Sequence, residues 1–287
     1  MSEPFVVVDE AEFFRAVPRG ARLRRLADGF RFTEGPVWMG GFLLFSDIPA
    51  DRIYRWSEAD GIGVFREPSR NANGNCRDSQ GRLLTCEHGT RRVTRSEPDG
   101  TVVTLAEFYD GGRLNSPNDL VSRPDGSVWF TDPVYGLGKR PPEQAATRVY
   151  RIAPDGRLAV AAEGFDQPNG LCFSPDGRTL YVADSGAPRH IKAFGIDPAS
   201  QALLPPRVFA TIDTGVPDGI RCDRQGRLWS SAGDGVHIFM PDGRLIGRIL
   251  VPETTANLCF GGEGHRTLFM TARTGLYAMD VLAEGAA

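Results

Sequence analysis

The chain has 287 residues, 41% hydrophobic and 24% charged, with a formal net charge of −3. Charges of both signs are mixed along it, so there is no basic face for nucleic acid and no cationic stripe for an anionic membrane. No stretch approaches the roughly 20 consecutive apolar residues of a membrane span, and five cysteines are an odd number for a disulfide framework.

The first residues have an acidic flank and an apolar run limited to Phe5–Val8, unlike a secretory leader. A cytoplasmic location is expected. Positions 9–17 read as a short helix or irregular lead-in, and Ala21–Leu26 as a strand without a local partner. From there a pattern repeats. A polar lead residue stands about ten positions ahead of a strand-like run at Glu34, Asn73, Asn118, Asn169, Asp218 and Asn257, at intervals of 39 to 51 residues. The runs are Gly41–Phe45, Arg82–Cys86, Ser127–Thr131, Thr179–Ala183, Arg227–Ser231 and Thr267–Thr271. Third strands follow at Ile53–Trp56, Arg92–Arg95, Arg148–Arg151, His190–Phe194, Val236–Phe239 and Gly275–Ala278, with β-branched and aromatic residues in alternation. Pro-Asp-Gly turns recur at 98–100, 124–126, 154–156, 175–177 and 241–243, and their Asp residues read as turn chemistry.

A β-rich repeat of this length predicts an all-β fold, a six-bladed β-propeller of four-stranded blades. Blades begin near 34, 73, 118, 169, 218 and 257 in one domain spanning 1–287, after a lead-in over 1–30. The last repeat has room for three strands only. Because a propeller must close its edge, the strand at 21–26 is expected to complete the sixth blade. Cys76, Cys172, Cys222 and Cys259 fall two to four residues after lead residues and read as small core side chains.

Radial repetition converges the lead residues on one axis, as two carboxylates and four amides. Oxygen donors without Cys or His favour a hard cation. Calcium accepts Asn carbonyls and carboxylates in flexible geometry, and Glu34 and Asp218 would balance its charge. Magnesium and manganese are alternatives, whereas zinc prefers nitrogen or sulfur. In an up-and-down blade the loop between strands two and three shares the face of the lead residues. That places Asp47, Glu87, His88, Asp132, Tyr135, Asp184, Ser231, Thr271 and Arg273 one strand farther out, as supporting or substrate contacts. The longest such loop, Pro133–Thr147, is expected to have no structure of its own and to serve as a lid carrying Tyr135, Lys139 and Arg140. His190, His237 and His265 read as structural. No Gly-x-Ser-x-Gly elbow and no phosphate-cradling Gly-rich loop occur.

Thr33-Glu34-Gly35-Pro36, Asn115-Ser116-Pro117-Asn118-Asp119, Pro168-Asn169-Gly170 and Pro217-Asp218-Gly219 resemble motifs of the gluconolactonase/regucalcin (senescence marker protein) family. Thr85-Cys86-Glu87-His88-Gly89 and Trp129-Phe130-Thr131-Asp132-Pro133 are similar to its bacterial gluconolactonase branch. The resemblance implies a divalent metal in the central channel, with Glu34, Asn169 and Asp218 as ligands. It makes Asn118 a metal or substrate contact and Asp218 the catalytic base. One position departs: Ser116 stands where animal regucalcins carry an Arg, and Arg113 nearby does not align with it.

Together these readings predict metal-dependent hydrolysis of a small sugar lactone, gluconolactone-type, to the aldonic acid. Glu34, Asn118, Asn169 and Asp218 would hold the cation (calcium first, then magnesium, manganese or zinc), and Asp218 would act as general base. Asn73, His88, Asn118, Tyr135 and Arg273 would bind the sugar. The alternatives are a metal-dependent aryl esterase or phosphotriesterase, and a non-catalytic calcium-binding propeller. The expected assembly is a monomer or homodimer.

Overall fold

The computed structural model describes residues 4–286, so what was expected of positions 1–3 and 287 lies outside the described residues. Among the described residues six antiparallel blade sheets form in chain order, with a separate two-stranded hairpin, Phe108–Tyr109 with Gly112–Arg113, between blades two and three. Blade one, for example, runs Thr33–Trp38, Leu43–Asp47, Arg52–Ser57 and Gly61–Arg66, each strand paired with the next. The sixth blade, Thr255–Gly261, Thr267–Ala272 and Gly275–Asp280, takes its outer strand from the N-terminal segment Arg24–Asp28. Arg24 pairs with Ala278 and Asp28 with Gly275. The closing strand thus forms as expected, a few residues later than the sequence pattern places it. Among the described residues no helix is long and apolar enough to cross a membrane.

Each junction between neighbouring blades holds its own apolar cluster. Leu43 and Phe45 of blade one pack on Cys259 and Phe269 of blade six, and Trp129 and Val149 of blade three pack on Leu171 and Val182 of blade four. Trp129, Trp229, Phe130 and Phe269 are at most 2% exposed. Burial of such side chains stabilises the fold by roughly 1.5–3 kcal/mol each. The five cysteines are free and, apart from the half-buried Cys76, buried; burial pushes the Cys76 and Cys259 thiols up to about 12. The Pro-Asp-Gly turns behave as read: the carboxylates of Asp99, Asp125, Asp155, Asp176 and Asp242 each accept the backbone N–H two residues on.

One feature was not foreseen, and the short helix read over positions 9–17 forms. Phe5–Val7 adds a fifth strand to blade five against Leu245–Leu250, using the apolar run at the start of the chain. The helix Glu10–Ala16 then tucks under that blade. It is capped by Asp9, whose carboxylate accepts Glu12 N–H at 3.2 Å, and it buries Phe13 and Ala16.

The innermost strands also start earlier than alternation suggests. In blades one, two, four and six the lead residue lies inside the strand, and the register slips beside it, between Glu34 and Val37, Ala72 and Asn75, Pro168 and Leu171, and Thr255 and Asn257. Such bulges turn a side chain out of the pleat, here beside the lead residue of those four blades.

Candidate functional site

A closed circuit of contacts joins the six lead residues. Ser46 Oγ donates to Asn73 O at 2.7 Å, and Gly74 N–H donates to Asn118 O at 2.8 Å. Thr131 Oγ1 donates to Asn169 O at 2.8 Å, and Gly170 N–H donates to Asp218 O at 3.2 Å. Gly219 N–H donates to Ala256 O at 2.8 Å, and Asn257 Nδ2 returns to Glu34 Oε2 at 2.9 Å. The glycine after a lead residue permits this closeness. A Cβ on Gly35 would overlap Asn73 O, and one on Gly170 would overlap Asp218 O.

The ring is buried. Glu34, Asn73, Asn118, Asn169 and Asn257 are at most 5% exposed; Asp218 is partly exposed. Burial, then the neighbouring Asp119 carboxylate, push Glu34 up to about 7. Burial, then Glu34 and Asp119, push Asp218 well above the usual carboxylate range, while the Asn169 side chain pulls it the other way. Carboxylates that raise one another share a confined space. Asp218 Oδ1 and Asn73 Oδ1 are buried with no hydrogen-bond partner among the described residues. Orphaned oxygens beside mutually repelling acids fit a hard cation. Among the described residues no three or more His, Cys, Asp or Glu side chains form a ready metal cage, so a cation here would draw on the Asn carbonyls as well.

Of the two roles expected of the outer ring, support or substrate contact, its acids and hydroxyls take the first. Asp47, Asp132 and Asp184 are at most 1% exposed, and each spends its carboxylate on two backbone amides of the segment entering its own blade. Asp47 accepts from Arg31 and Phe32, Asp132 from Asn115 and Ser116, and Asp184 from Asp166 and Gln167, at 2.8–3.1 Å. They hold the approach to Glu34, Asn118 and Asn169 rather than facing a substrate. Glu87 is likewise taken up within its blade, by Arg92 Nε at 2.8 Å and Thr94 Oγ1 at 3.1 Å. Ser231 Oγ donates to Ala256 O and Thr271 Oγ1 to Asn257 O, both bracing the ring.

His88 is 6% exposed with Nε2 3.1 Å from Asn73 Nδ2. Burial, then Arg140, lower it to about 4, so the imidazole is neutral at pH 7. Tyr135 stands half exposed above the ring. Burial, then the Asp218 carboxylate, push its phenol up to about 12, against a hydrogen bond with Ser185. Arg273 is an exposed turn residue at φ 41° whose carbonyl accepts the N–H of Thr33, next to Glu34, at 2.8 Å. Its side chain makes no hydrogen bond to a described residue.

The segment 133–147 is not structureless. Tyr135–Leu137 forms a 3-10 turn, and a Cβ on Gly136 would overlap the His88 ring. Arg140 donates to the carbonyls of His88, Gly89, Gly136 and Leu137 at 2.6–3.0 Å. Ser116 Oγ donates to Pro133 O at 2.7 Å and accepts Gly136 N–H at 3.0 Å. Glu143 and Gln144 tie the far end to Arg91, Arg113 and Tyr109. The segment expected as a cover is pinned in place, and the departure at Ser116 is part of its anchorage.

Sequence reasoning passed over Asp119 and Arg221. Asp119 occupies the place that glycine holds after the lead residue in four blades, and Arg221 the place of Cys76 and Cys172, three residues after the lead. A charge in an otherwise small or apolar column was the available signal. Asp119 is 1% exposed, and its Oδ2 lies 3.4 Å from both Arg221 Nη1 and Asn257 Nδ2.

Residues 32–274 match the model of the SMP-30/gluconolactonase/LRE-like region family. The chain is 37% identical over 277 residues to a gluconolactonase of Zymomonas mobilis, across 86% of this chain and 78% of that protein. It is 40% identical to a solved gluconolactonase of Xanthomonas campestris, at TM-score 0.92 over 98% and 95% of the two chains. A calcium-binding regucalcin of Agrobacterium tumefaciens shares the fold at TM-score 0.78 and 23% identity over 93% and 95%.

Proposed function

Because the chain belongs to the SMP-30/gluconolactonase/LRE-like family, we propose that it is a lactone hydrolase that opens a sugar lactone of the gluconolactone type, with a divalent cation, calcium first, in its central ring. Glu34, Asn118, Asn169 and Asp218 would hold the cation. The observation that carries this reading is the buried, unpartnered Asp218 Oδ1 in an all-oxygen ring closed on Glu34 by Asn257. Among the described residues neither an Arg nor a Lys pairs with Asp218, so the carboxylate is kept for a ligand or a proton.

A bound divalent cation supplies Lewis-acid polarisation of the lactone carbonyl and favours the ionised form of the surrounding carboxylates. The protein's own groups do the rest. Asp218, ionised, takes the proton of the attacking water at Oδ1, the general-base role suited to a carboxylate with a raised pKa. Asn73 Oδ1, which has no protein partner among the described residues, accepts from a sugar hydroxyl. His88 is neutral and already engaged with Asn73, which suits it to orienting that amide rather than to proton abstraction. Tyr135, beside Asp218 with its phenol un-ionised, donates to the substrate and shields the base from bulk water. The turn residue Arg273 would reach only the outer end of an aldonolactone.

The deciding experiment is a pH-stat panel of aldonolactones, an aryl ester and an organophosphate ester, run on metal-stripped and calcium-restored protein. Calcium-dependent turnover of the lactones, at least tenfold above the other esters, supports the reading. Turnover confined to the aryl or phosphate ester, or no turnover at all, contradicts it.

A further inference from the structure

The ring contains a carboxylate and a guanidinium that lactone hydrolysis does not call upon. Asp119 Oδ1 accepts Leu120 N–H at 2.9 Å, and Oδ2 faces Arg221 Nη1 and Asn257 Nδ2, each at 3.4 Å. Asn257 Nδ2 also donates to Glu34 Oε2 at 2.9 Å, while Asn257 Oδ1 is fixed by Leu258 N–H at 2.8 Å. Arg221 Nη1 is held in turn by Ile220 O at 2.7 Å. A continuous path therefore runs from Arg221 through Asp119 and Asn257 to Glu34, anchored to backbone at three places. None of these side chains can move without releasing the next.

Charge gives the path its purpose. Three carboxylates, Glu34, Asp119 and Asp218, crowd the ring, and Arg221 is the cation that pairs with one of them. A buried charge without its partner is strongly destabilising, whereas the pair together costs little. With Asp119 matched to Arg221, the remaining pair, Glu34 and Asp218, carries the two negative charges that suit one divalent ion. The Asn257 amide, shared between Glu34 and Asp119, engages Glu34 Oε2, so that Oε1 is the oxygen that would be offered to a cation.

We infer that Asp119, Arg221 and Asn257 are positioning residues for Glu34, the Asp119–Arg221 pair setting the charge that the ring offers to a divalent cation. The inference rests on the cation reading above and deepens it: none of the three touches substrate.

Opposite signs test it. The full chain, stripped of metal, is titrated with calcium alone by calorimetry at pH 8, and melting of each metal-free variant reports folding. Asp119→Asn leaves the guanidinium unmatched beside Glu34 and is expected to weaken calcium binding by about tenfold. Arg221→Met leaves a third carboxylate unmatched and is expected to strengthen it by about the same factor. The double variant and Arg221→Lys, which keep the charge balanced, are expected within roughly threefold of the parent, and they serve alone should a single variant not fold. A merely structural pair would lower the melting temperature in both single variants without moving calcium affinity in opposite directions. Shifts of the same sign, no shift, or a tenfold loss in the double variant overturn the inference while leaving the cation site standing. A parent protein that binds no calcium, magnesium or manganese overturns both.

Discussion

Asn257 donates its side-chain amide to Glu34 Oε2 at 2.9 Å, across 223 residues of sequence. That bond joins the last innermost strand to the first and closes the oxygen ring on which the functional reading depends. Its geometry requires every intervening blade to hold its place, so disturbance anywhere on the axis should reach the site.

Gly170→Ala tests that coupling. The new methyl would overlap Asp218 O and crowd the backbone of Gly219 and Ile220, and backbone cannot swing aside as a side chain can. The variant is expected to lose about 1–3 kcal/mol of stability and at least tenfold in calcium affinity. Thermal melting with and without calcium reads both. An unaltered calcium-induced shift would show that the axis tolerates expansion.

The acids of the metal-free ring also predict a pH dependence. Glu34 is raised from 4.5 to about 7, and Asp218 is raised in the same direction. A carboxyl with a raised folded pKa contributes stability that is complete below its unfolded value and disappears as pH climbs through the folded one. His88, His190 and His237, all lowered by desolvation, act oppositely: their contribution is complete above pH 6.5 and is lost on acidification. Glu34→Gln separates the two sets. In EDTA, the melting temperature of the parent minus that of Glu34→Gln should fall between pH 5 and pH 8, by roughly 4 °C. A constant difference across that window would mean that Glu34 is not held protonated in the metal-free fold.

Arg140→Ala should loosen the cover. Arg140 ties His88 and Gly89 of blade two to Gly136 and Leu137 of the 133–147 segment, and its loss frees Tyr135 and the His88 ring together. KM for the best lactone is expected to rise about tenfold with kcat changed less than threefold, the signature of lost binding that ground and transition states share. A fall in kcat at constant KM would instead place the cover in the chemical step.

The propeller and its closing strand were legible in the sequence because radial repetition imposes one spacing on every blade, and because a three-stranded last repeat demands a partner from elsewhere. The lead residues could be picked out for the same reason. What was hidden depends on partners that sequence does not display. Asp47, Asp132 and Asp184 sit on the expected face, yet backbone amides occupy them, and amides carry no signature in a side-chain pattern. The 133–147 segment read as open loop because its anchors, Ser116, Arg140 and Gln144, bind carbonyls scattered over 88–137. Phe5–Val7 and Arg221 were signalled, the first by an apolar run and the second by a charge among cysteines, but each pairs across a distance in sequence that only the closed ring makes short.

The most direct measurement is the hydrolysis of gluconolactone by metal-stripped protein, before and after calcium is restored, in the parent and in Asp218→Asn. The account predicts that stripping lowers turnover at least a hundredfold, that calcium restores it in the parent, and that Asp218→Asn stays at least a thousandfold below the restored parent. Full activity in the stripped parent, or a calcium-restored Asp218→Asn as fast as the parent, would contradict it.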